Sequence, residues 1–145
     1  MGKGRSVKVK LKGRDKVRKN LVHANMQIVE PMEINIAHTL NEVDAGTTLS
    51  SFAIAETGTV AEICHQDVDR LTSALPRIHI CLLQCDQILG ALTESASLLR
   101  SAVKTYGKSA ISLISGPSRT ADVELKLVLG VHGPHQVHVV TYGEE

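Results

Sequence analysis

The segment ISGPSRTADVE, at residues 114–124, gathers several groups that can hold an anionic ligand. A glycine that permits close backbone approach stands among three hydroxyl groups, and these residues are Ser115, Gly116, Ser118 and Thr120. The guanidinium of Arg119 can pair with a phosphate or a carboxylate through two parallel hydrogen bonds. Asp122 and Glu124 would repel an anion unless they point away from it, and Asp122 could instead orient Arg119 or serve as an acid or base. The segment could therefore hold an anionic ligand.

The same residues also fit the entry of an ordinary helix. Ser118 or Thr120 would cap its first turn, and the two acids that follow would interact favourably with the helix dipole. The residue pattern alone does not separate these two interpretations.

A second candidate site is the segment ETGT at residues 56–59. Glu56, at the end of a predicted strand, could act as a general base or a nucleophile. Thr57 and Gly58 would form the turn beside it and could contact a ligand. The alternative is an exposed turn with no chemical role.

Histidine and cysteine spacing argues against a metal centre. His135 and His138 would lie on opposite faces of a strand, which disfavours a zinc site. Cys81 and Cys85 have a spacing that fits neither a zinc motif nor an iron–sulfur motif. His79 alternates within an apolar strand and is expected to be a hydrogen-bonded core residue. We therefore expect no metal and no cofactor.

The elements that would position these groups alternate between strands and helices from residue 77 onward. Buried strands are predicted at 77–84 and 109–115, an amphipathic helix at 86–107 and a last strand at 136–142. Before them, the pattern predicts an edge strand at 6–12, a helix at 13–29, two strands around Thr57-Gly58 and a helix at 66–75. This order predicts an α/β fold, Rossmann-like, with a mainly parallel sheet and flanking helices.

Composition bounds the class of protein. The 145 residues suffice for one domain with a sizeable core, and aromatic residues make up only 2% of them, so recognition of nucleic acid by base stacking is not expected. Three cysteines without an export signal or a membrane-length apolar run predict a cytoplasmic protein. Charge is uneven, because residues 1–20 hold nine Lys or Arg and one Asp, whereas residues 21–145 hold seven Lys or Arg and fourteen Asp or Glu. We therefore divide the chain into a basic arm, 1–20, and one acidic domain, 21–145.

Several segments together resemble the LUD domain family. They are FAIAETGTV (52–60), LPRIHICLLQCDQILGAL (75–92), SGPSRTADVE (115–124) and LVLGVHGPHQVHVV (127–140). The resemblance covers about residues 46–142. It implies a fold similar to the group of sugar-phosphate isomerases and CoA transferases, and a role in the cytoplasmic oxidation of L-lactate to pyruvate beside two iron–sulfur partner proteins.

Carried over by position, the family's motifs imply a cleft for a small anionic metabolite. Its residues here would be Glu56, Thr57, Gly58, Ser115, Gly116, Ser118, Arg119, Thr120, Asp122, Glu124, His132 and Gly133. Arg119 would hold the negative group of the ligand. Whether the cleft catalyses a reaction stays open, because the resemblance implies a non-redox component and not a defined chemistry.

The part before the ETGT segment is shorter than is usual in the family, and it is strongly basic. A missing unit would leave a sheet edge or an apolar face to be covered by a second subunit, so we expect a homo-oligomer. A different functional class also fits the basic arm: a non-catalytic binding module that docks on an acidic partner or on nucleic acid.

Overall fold

The computed structural model describes residues 6–9, 27–29, 35–106, 110–121, 127–129 and 132–143. Its strands are β1 (Ser6–Val9), β2 (Gln27–Ile28), β3 (Ala45–Leu49), β4 (Phe52–Ile54), β5 (Thr59–Cys64), β6 (Ile78–Gln84), β7 (Ile88–Leu89), β8 (Ala110–Ile114), β9 (Arg119–Ala121), β10 (Leu127–Leu129) and β11 (Gln136–Tyr142). Its helices are α1 (Ile36–Asn41), α2 (Asp67–Ala74) and α3 (Ser95–Tyr106), with single 3-10 turns at Cys85–Gln87 and Leu92–Glu94.

Five strands form a parallel sheet, sheet A, in the order β11-β6-β3-β1-β2. Strand β6 pairs with β11 over seven residues, from Ile78 opposite Gln136 to Gln84 opposite Tyr142. The apolar run of β6 is explained by this position, since a strand between two others in a covered sheet can be apolar on both faces. The expected α/β fold with a mainly parallel sheet is confirmed.

Four strands form a second sheet, sheet B, in the order β7-β4-β5-β8. Strands β4 and β5 make an antiparallel hairpin, as expected from the sequence. Gly58 in its turn has a φ of 61°, a left-handed conformation that a glycine adopts without strain. A separate pair, β9 with β10, is antiparallel.

Sheet B lies between sheet A and α3. On one face, Ala53 and Val60 pack against Cys81 and Leu83 of sheet A. On the other face, a cluster that includes Phe52 packs against Leu99 of α3. The core is therefore formed by two layers of apolar side chains, one on each face of the short hairpin.

Helix α2 follows the local signals of its sequence. The Gln66 backbone N–H donates to the carboxylate of Asp69 at 3.2 Å, which completes a capping box, and Asp67 also lies in the first turn. The helix ends before Pro76, as predicted. Its contact with sheet A is so close that a Cβ atom on Gly46 would lie 2.1 Å from the carbonyl oxygen of Thr72.

The long helix predicted over 86–107 is wrong in its first half, since α3 begins at Ser95. Ile88 and Leu89 instead pair with Ala53 and Ile54, and the Ala55 N–H donates to the Leu89 carbonyl at 2.8 Å. The periodic apolar stripe was misleading because strand pairing with β4 uses the backbone of this segment. Val103, which belonged to the stripe, is 57% exposed.

Three further expectations differ from the structure. The strand predicted at 109–115 is not covered on both faces, because β8 is the edge of sheet B and Leu113 is 50% exposed. Gln27–Ile28, inside a predicted helix, pairs with β1 as a strand. Strand β1 lies between β3 and this short β2 and is not at the edge of the sheet. The alternation of apolar and charged residues indicates which face of a strand is buried, but not which strands lie beside it. Residues 1–5 and 10–20 of the basic arm lie outside the described residues.

None of the helices in the described part of the chain has the length and apolar character needed to cross a bilayer.

We predict that Gly46→Ala destabilises the protein by about 1–3 kcal/mol, because the new methyl group must push α2 away from sheet A. The control is Gly90→Ala, whose Cβ would meet a side-chain atom and not the backbone, namely Glu94 Oε1 at 3.1 Å. Urea denaturation followed by circular dichroism measures both. Equal stability of Gly46→Ala and the wild type would contradict this packing.

Candidate functional site

A cavity of about 410 Å³ opens beside the last turns of α2 and the N-terminal region of β11. Two loops border it, one at 115–118 after β8 and one at 132–134 before β11. This loop cavity is lined by Arg70, Ser73, Ala74, Ser112, Leu113, Ile114, Ser115, Gly116, Pro117, Ser118, His132, Gly133, Pro134 and Val137. Its volume lies within the roughly 300–1,000 Å³ typical of small-molecule sites. The lining combines hydroxyl groups, a guanidinium and an imidazole with an apolar wall.

The two loops of the cavity hold each other in place. The Ser118 N–H donates to the Pro134 carbonyl at 2.9 Å, and a Cβ on Gly133 would lie 3.0 Å from the Ser118 side chain. Gly116 has a φ of 103°, which a residue with a side chain rarely adopts. The predicted site residues Ser115, Gly116 and Ser118 are thereby brought beside His132 and Gly133.

A chain of hydroxyl groups connects the ETGT turn to this cavity. Thr57 Oγ1 is hydrogen-bonded to Thr59 Oγ1 at 2.7 Å, and Thr59 Oγ1 to Ser115 Oγ at 2.7 Å. Thr59, in the middle of these three hydroxyl groups, is buried, whereas Thr57 and Ser115 on either side of it are exposed. Thr57 and Gly58 therefore adjoin the site through Thr59 but do not line the cavity.

Glu56 lies outside the lining of the cavity. Its Oε2 accepts a hydrogen bond of 2.9 Å from the Leu92 N–H, and its own N–H donates to the Gly90 carbonyl at 3.1 Å. These contacts fix the 3-10 turn before α3. Its carboxylate therefore has a structural partner, and its acid–base role stays a prediction.

Arg70 is the arginine in the described lining of the cavity, and the ligand role of Arg119 stays a prediction. Arg119 begins β9 opposite Leu129 and is exposed, outside the lining. Thr120 follows it in the strand, which differs from the helix entry that the sequence also allowed. Asp122 and Glu124 lie outside the described residues.

Sequence reasoning missed Arg70 because it follows QDVD in a segment that reads as an ordinary helix. Its guanidinium is 3.1 Å from Asp67 Oδ1, one turn earlier, and both side chains are more than half exposed. A solvent-exposed pair of this kind contributes little to stability. Arg70 therefore keeps the freedom to contact a ligand in the cavity.

A second polar group, the inter-sheet cluster, consists of Thr48, Glu62, His79 and Cys81, all buried between the two sheets. His79 Nε2 lies 3.2 Å from Glu62 Oε1 and 2.8 Å from Thr48 Oγ1. The Thr48 hydroxyl donates to the same Glu62 oxygen. His79 is hydrogen-bonded in the core, as expected, but its buried carboxylate partner was not foreseen.

Cys81 lies against the other members of the inter-sheet cluster. Its Sγ is 3.5 Å from His79 Nδ1 and 3.6 Å from Nε2. Burial, followed by the negative charge of Glu62, raises the pKa of the Cys81 thiol to about 12. Burial also raises the pKa of Cys64, with Glu62 again the next cause. Because the thiolate is the nucleophilic form, neither group is suited to act as a nucleophile.

We predict that Thr48→Val destabilises the protein by about 1–3 kcal/mol, because Glu62 and His79 lose a hydrogen-bond partner at nearly constant side-chain volume. Thr48→Ser keeps the hydroxyl and is the matched control, with a smaller loss from the missing methyl group. Equilibrium unfolding in urea ranks the variants. If valine were no worse than serine, the hydroxyl would have no role in holding the pair.

We also predict that only the Cys85 thiol reacts rapidly with a disulfide reagent in the folded protein at pH 8. Cys85 is half-buried, whereas Cys64 and Cys81 are buried and protonated. Titration of the thiols should show one thiol per chain that reacts fast, and the other two should react only after the protein is unfolded. Cys85→Ser should remove the fast phase, and its persistence would show that a buried thiol is accessible.

Comparison with known proteins places the chain in a family. The LUD domain family matches residues 7–142. Lactate utilization protein C from Anoxybacillus flavithermus is 38% identical over 89 residues, which cover 61% of this chain and 39% of that protein. The protein of the same name from Bacillus subtilis is 35% identical over 95 residues, covering 64% and 40%. The chain thus spans about two-fifths of the length of these relatives.

A solved structure supports the fold. A DUF162 family protein from Deinococcus radiodurans superposes with a TM-score of 0.60 at 22% identity, over 97% of this chain and 88% of that one. The family match covers nearly the whole sequence, and it includes both loops of the cavity and all four residues of the inter-sheet cluster. The chain belongs to the LUD domain family.

Proposed function

We propose that this chain acts in lactate utilisation as a non-redox component, and that the loop cavity binds a small anionic metabolite. The cavity is the observation that supports binding of a metabolite. Its two loops surround one space, and Ser115 in this lining is hydrogen-bonded to Thr59 of the ETGT segment. The role in lactate utilisation rests on relatives named for that process, which the chain matches over part of their length.

The charges around the cavity favour an anion. Residues 21–145 carry twice as many acidic as basic side chains. An arginine beside a cavity in this acidic part of the chain therefore provides a positive charge that few other residues there can provide. Arg70 can give a carboxylate two parallel hydrogen bonds, at the expense of its weak contact with Asp67. Ser115 and Ser118 can donate to the remaining oxygen atoms of such a ligand.

The groups around the cavity support binding of an anion. Glu56 is occupied at the 3-10 turn, and His132 is the titratable group that accompanies Arg70 in the described lining. A ligand with a hydroxyl or a keto group next to its carboxylate would place that group near a hydrogen-bond donor. Lactate, pyruvate and small sugar phosphates are therefore the ligand classes to test.

The partners are proposed on the same ground, which is that the chain belongs to the LUD domain family. Iron–sulfur proteins of a lactate-oxidation complex would carry the electrons, since the described residues of this chain contribute no iron–sulfur motif. Strand β11 is an edge of sheet A with Val139 and Val140 about half exposed, a surface that a partner or a second copy can cover.

Ligand binding is tested by isothermal titration calorimetry with lactate, pyruvate and glucose 6-phosphate. We expect at least one of them to bind, and Arg70→Ala to weaken it by roughly tenfold to a hundredfold, because a charge-assisted hydrogen bond is lost. Arg100→Ala, on the exposed face of α3, is the matched control and should bind like the wild type. Arg119→Ala compares the arginine expected from the sequence with the one that lines the cavity.

Each result decides between sites. Loss of binding in Arg119→Ala but not in Arg70→Ala would move the ligand to β9 and contradict the cavity. Equal affinity in all three variants would remove the anion site as a whole. Absence of binding by every ligand in the folded wild type would remove the metabolite proposal.

A further inference from the structure

The inter-sheet cluster holds three different metal-binding side chains at one buried point. Glu62 comes from β5 in sheet B, and His79 and Cys81 come from β6 in sheet A. His79 and Cys81 are two residues apart on a strand, so both point to the same face, toward Glu62. One ligand atom from each lies within 4.8 Å of the others.

Two of the distances between donor atoms are close to the edges of a tetrahedral metal site. With metal–nitrogen and metal–oxygen bonds of about 2.1 Å and a metal–sulfur bond of about 2.3 Å, the tetrahedral edges are about 3.4 Å (N to O) and about 3.6 Å (N to S). His79 Nε2 lies 3.2 Å from Glu62 Oε1 and 3.6 Å from Cys81 Sγ. Because the Cys81 Sγ atom also lies 3.5 Å from His79 Nδ1, the Cys81 side chain must turn toward the Nε2 side of the ring to join an ion held there.

A contact between Glu62 and His79 alone accounts for part of the cluster. It explains the Thr48 hydroxyl, which donates to Glu62, and the thiol lies beside the ring because Cys81 and His79 share one face of β6. The buried Ser50 hydroxyl lowers the pKa of the Cys81 thiol as a hydrogen-bond donor to it would, although the two groups do not reach ordinary hydrogen-bond geometry. A metal-bound thiolate would accept a hydrogen bond from Ser50, as outer-shell hydroxyls do in metal sites.

We propose that Glu62, His79 and Cys81 bind one zinc-class divalent ion that joins sheet A to sheet B. The donor set identifies the class of ion, because thiolate with imidazole selects zinc-like metals, whereas magnesium and calcium take oxygen ligands. A water molecule or the Thr48 hydroxyl completes the coordination. The ion replaces the thiol proton of Cys81, which is released to solvent on binding.

This site differs from the metal patterns that the sequence made improbable. Those patterns concerned His135 with His138 and Cys81 with Cys85, each judged by spacing along one segment. The cluster instead needs a carboxylate from a strand of the other sheet, 17 positions before His79. The full enclosure of His79 and Cys81 means that the ion enters during folding and not through the native surface.

The experiment refolds the untagged full chain from denaturant with Zn²⁺ or Co²⁺ and then removes free metal by gel filtration. Elemental analysis measures bound zinc, and absorbance of the cobalt form detects a thiolate-to-cobalt band. We expect about one ion per folded chain and a thiolate band. Cys81→Ser should lose the band and most of the metal. Cys64→Ser, also a buried cysteine of the core, should keep both.

A second variant keeps the test decisive if Cys81→Ser does not fold. In Cys64→Ser/Cys85→Ser, Cys81 is the remaining thiol, so a thiolate band can come only from it. Folded wild-type protein without bound zinc or cobalt would overturn the proposal. A folded Cys81→Ser that keeps the metal, or a double variant that folds without the thiolate band, would overturn it as well.

Discussion

The contact between Glu62 and His79 is the constraint on which the packing of the two sheets depends. A buried carboxylate without a partner costs several kcal/mol. The aliphatic side chains around the pair can slide past one another at a smaller cost, because the hydrophobic effect has no direction. The polar pair therefore sets where sheet B lies on sheet A, and Ala53 and Val60 pack accordingly on Cys81 and Leu83.

The cavity is built on this fixed core. Ile114 and Val137, which form part of its apolar wall, pack against the cluster that contains Cys81. The polar side of the cavity is held differently, through the hydroxyl chain that runs to Ser115 and through the bond between Ser118 and Pro134. One wall thus belongs to the inter-sheet core, and the other is a pair of loops whose conformation depends on a few hydrogen bonds. Such a division between a rigid base and adjustable loops is common in binding sites.

The two polar sites have opposite electrostatic characters. At the loop cavity, charged groups are exposed and weakly paired, so a ligand can replace a protein contact at low cost. In the inter-sheet cluster, a carboxylate, an imidazole and a thiol are removed from water and depend on one another. The first arrangement suits reversible binding of a metabolite. The second suits a permanent structural role, which a bound ion would strengthen.

Local sequence determined the elements whose signals are local. The capping box of α2, the Gly58 turn and the apolar run of β6 all depend on neighbouring residues, and each was predictable. The family loops at Ser115–Ser118 and His132–Pro134 were also expected beside a ligand site, although the strand between them and the core, predicted to be buried, is the partly exposed edge strand β8 of sheet B. Tertiary structure decided what depends on pairing between distant segments: Ile88–Leu89 became a strand because β4 lies beside it, and Arg70 reached the cavity because α2 docks at Gly46. Glu62 met His79 and Cys81 for the same reason, since the contact of two sheets is a property of packing and leaves no periodic signal in either strand.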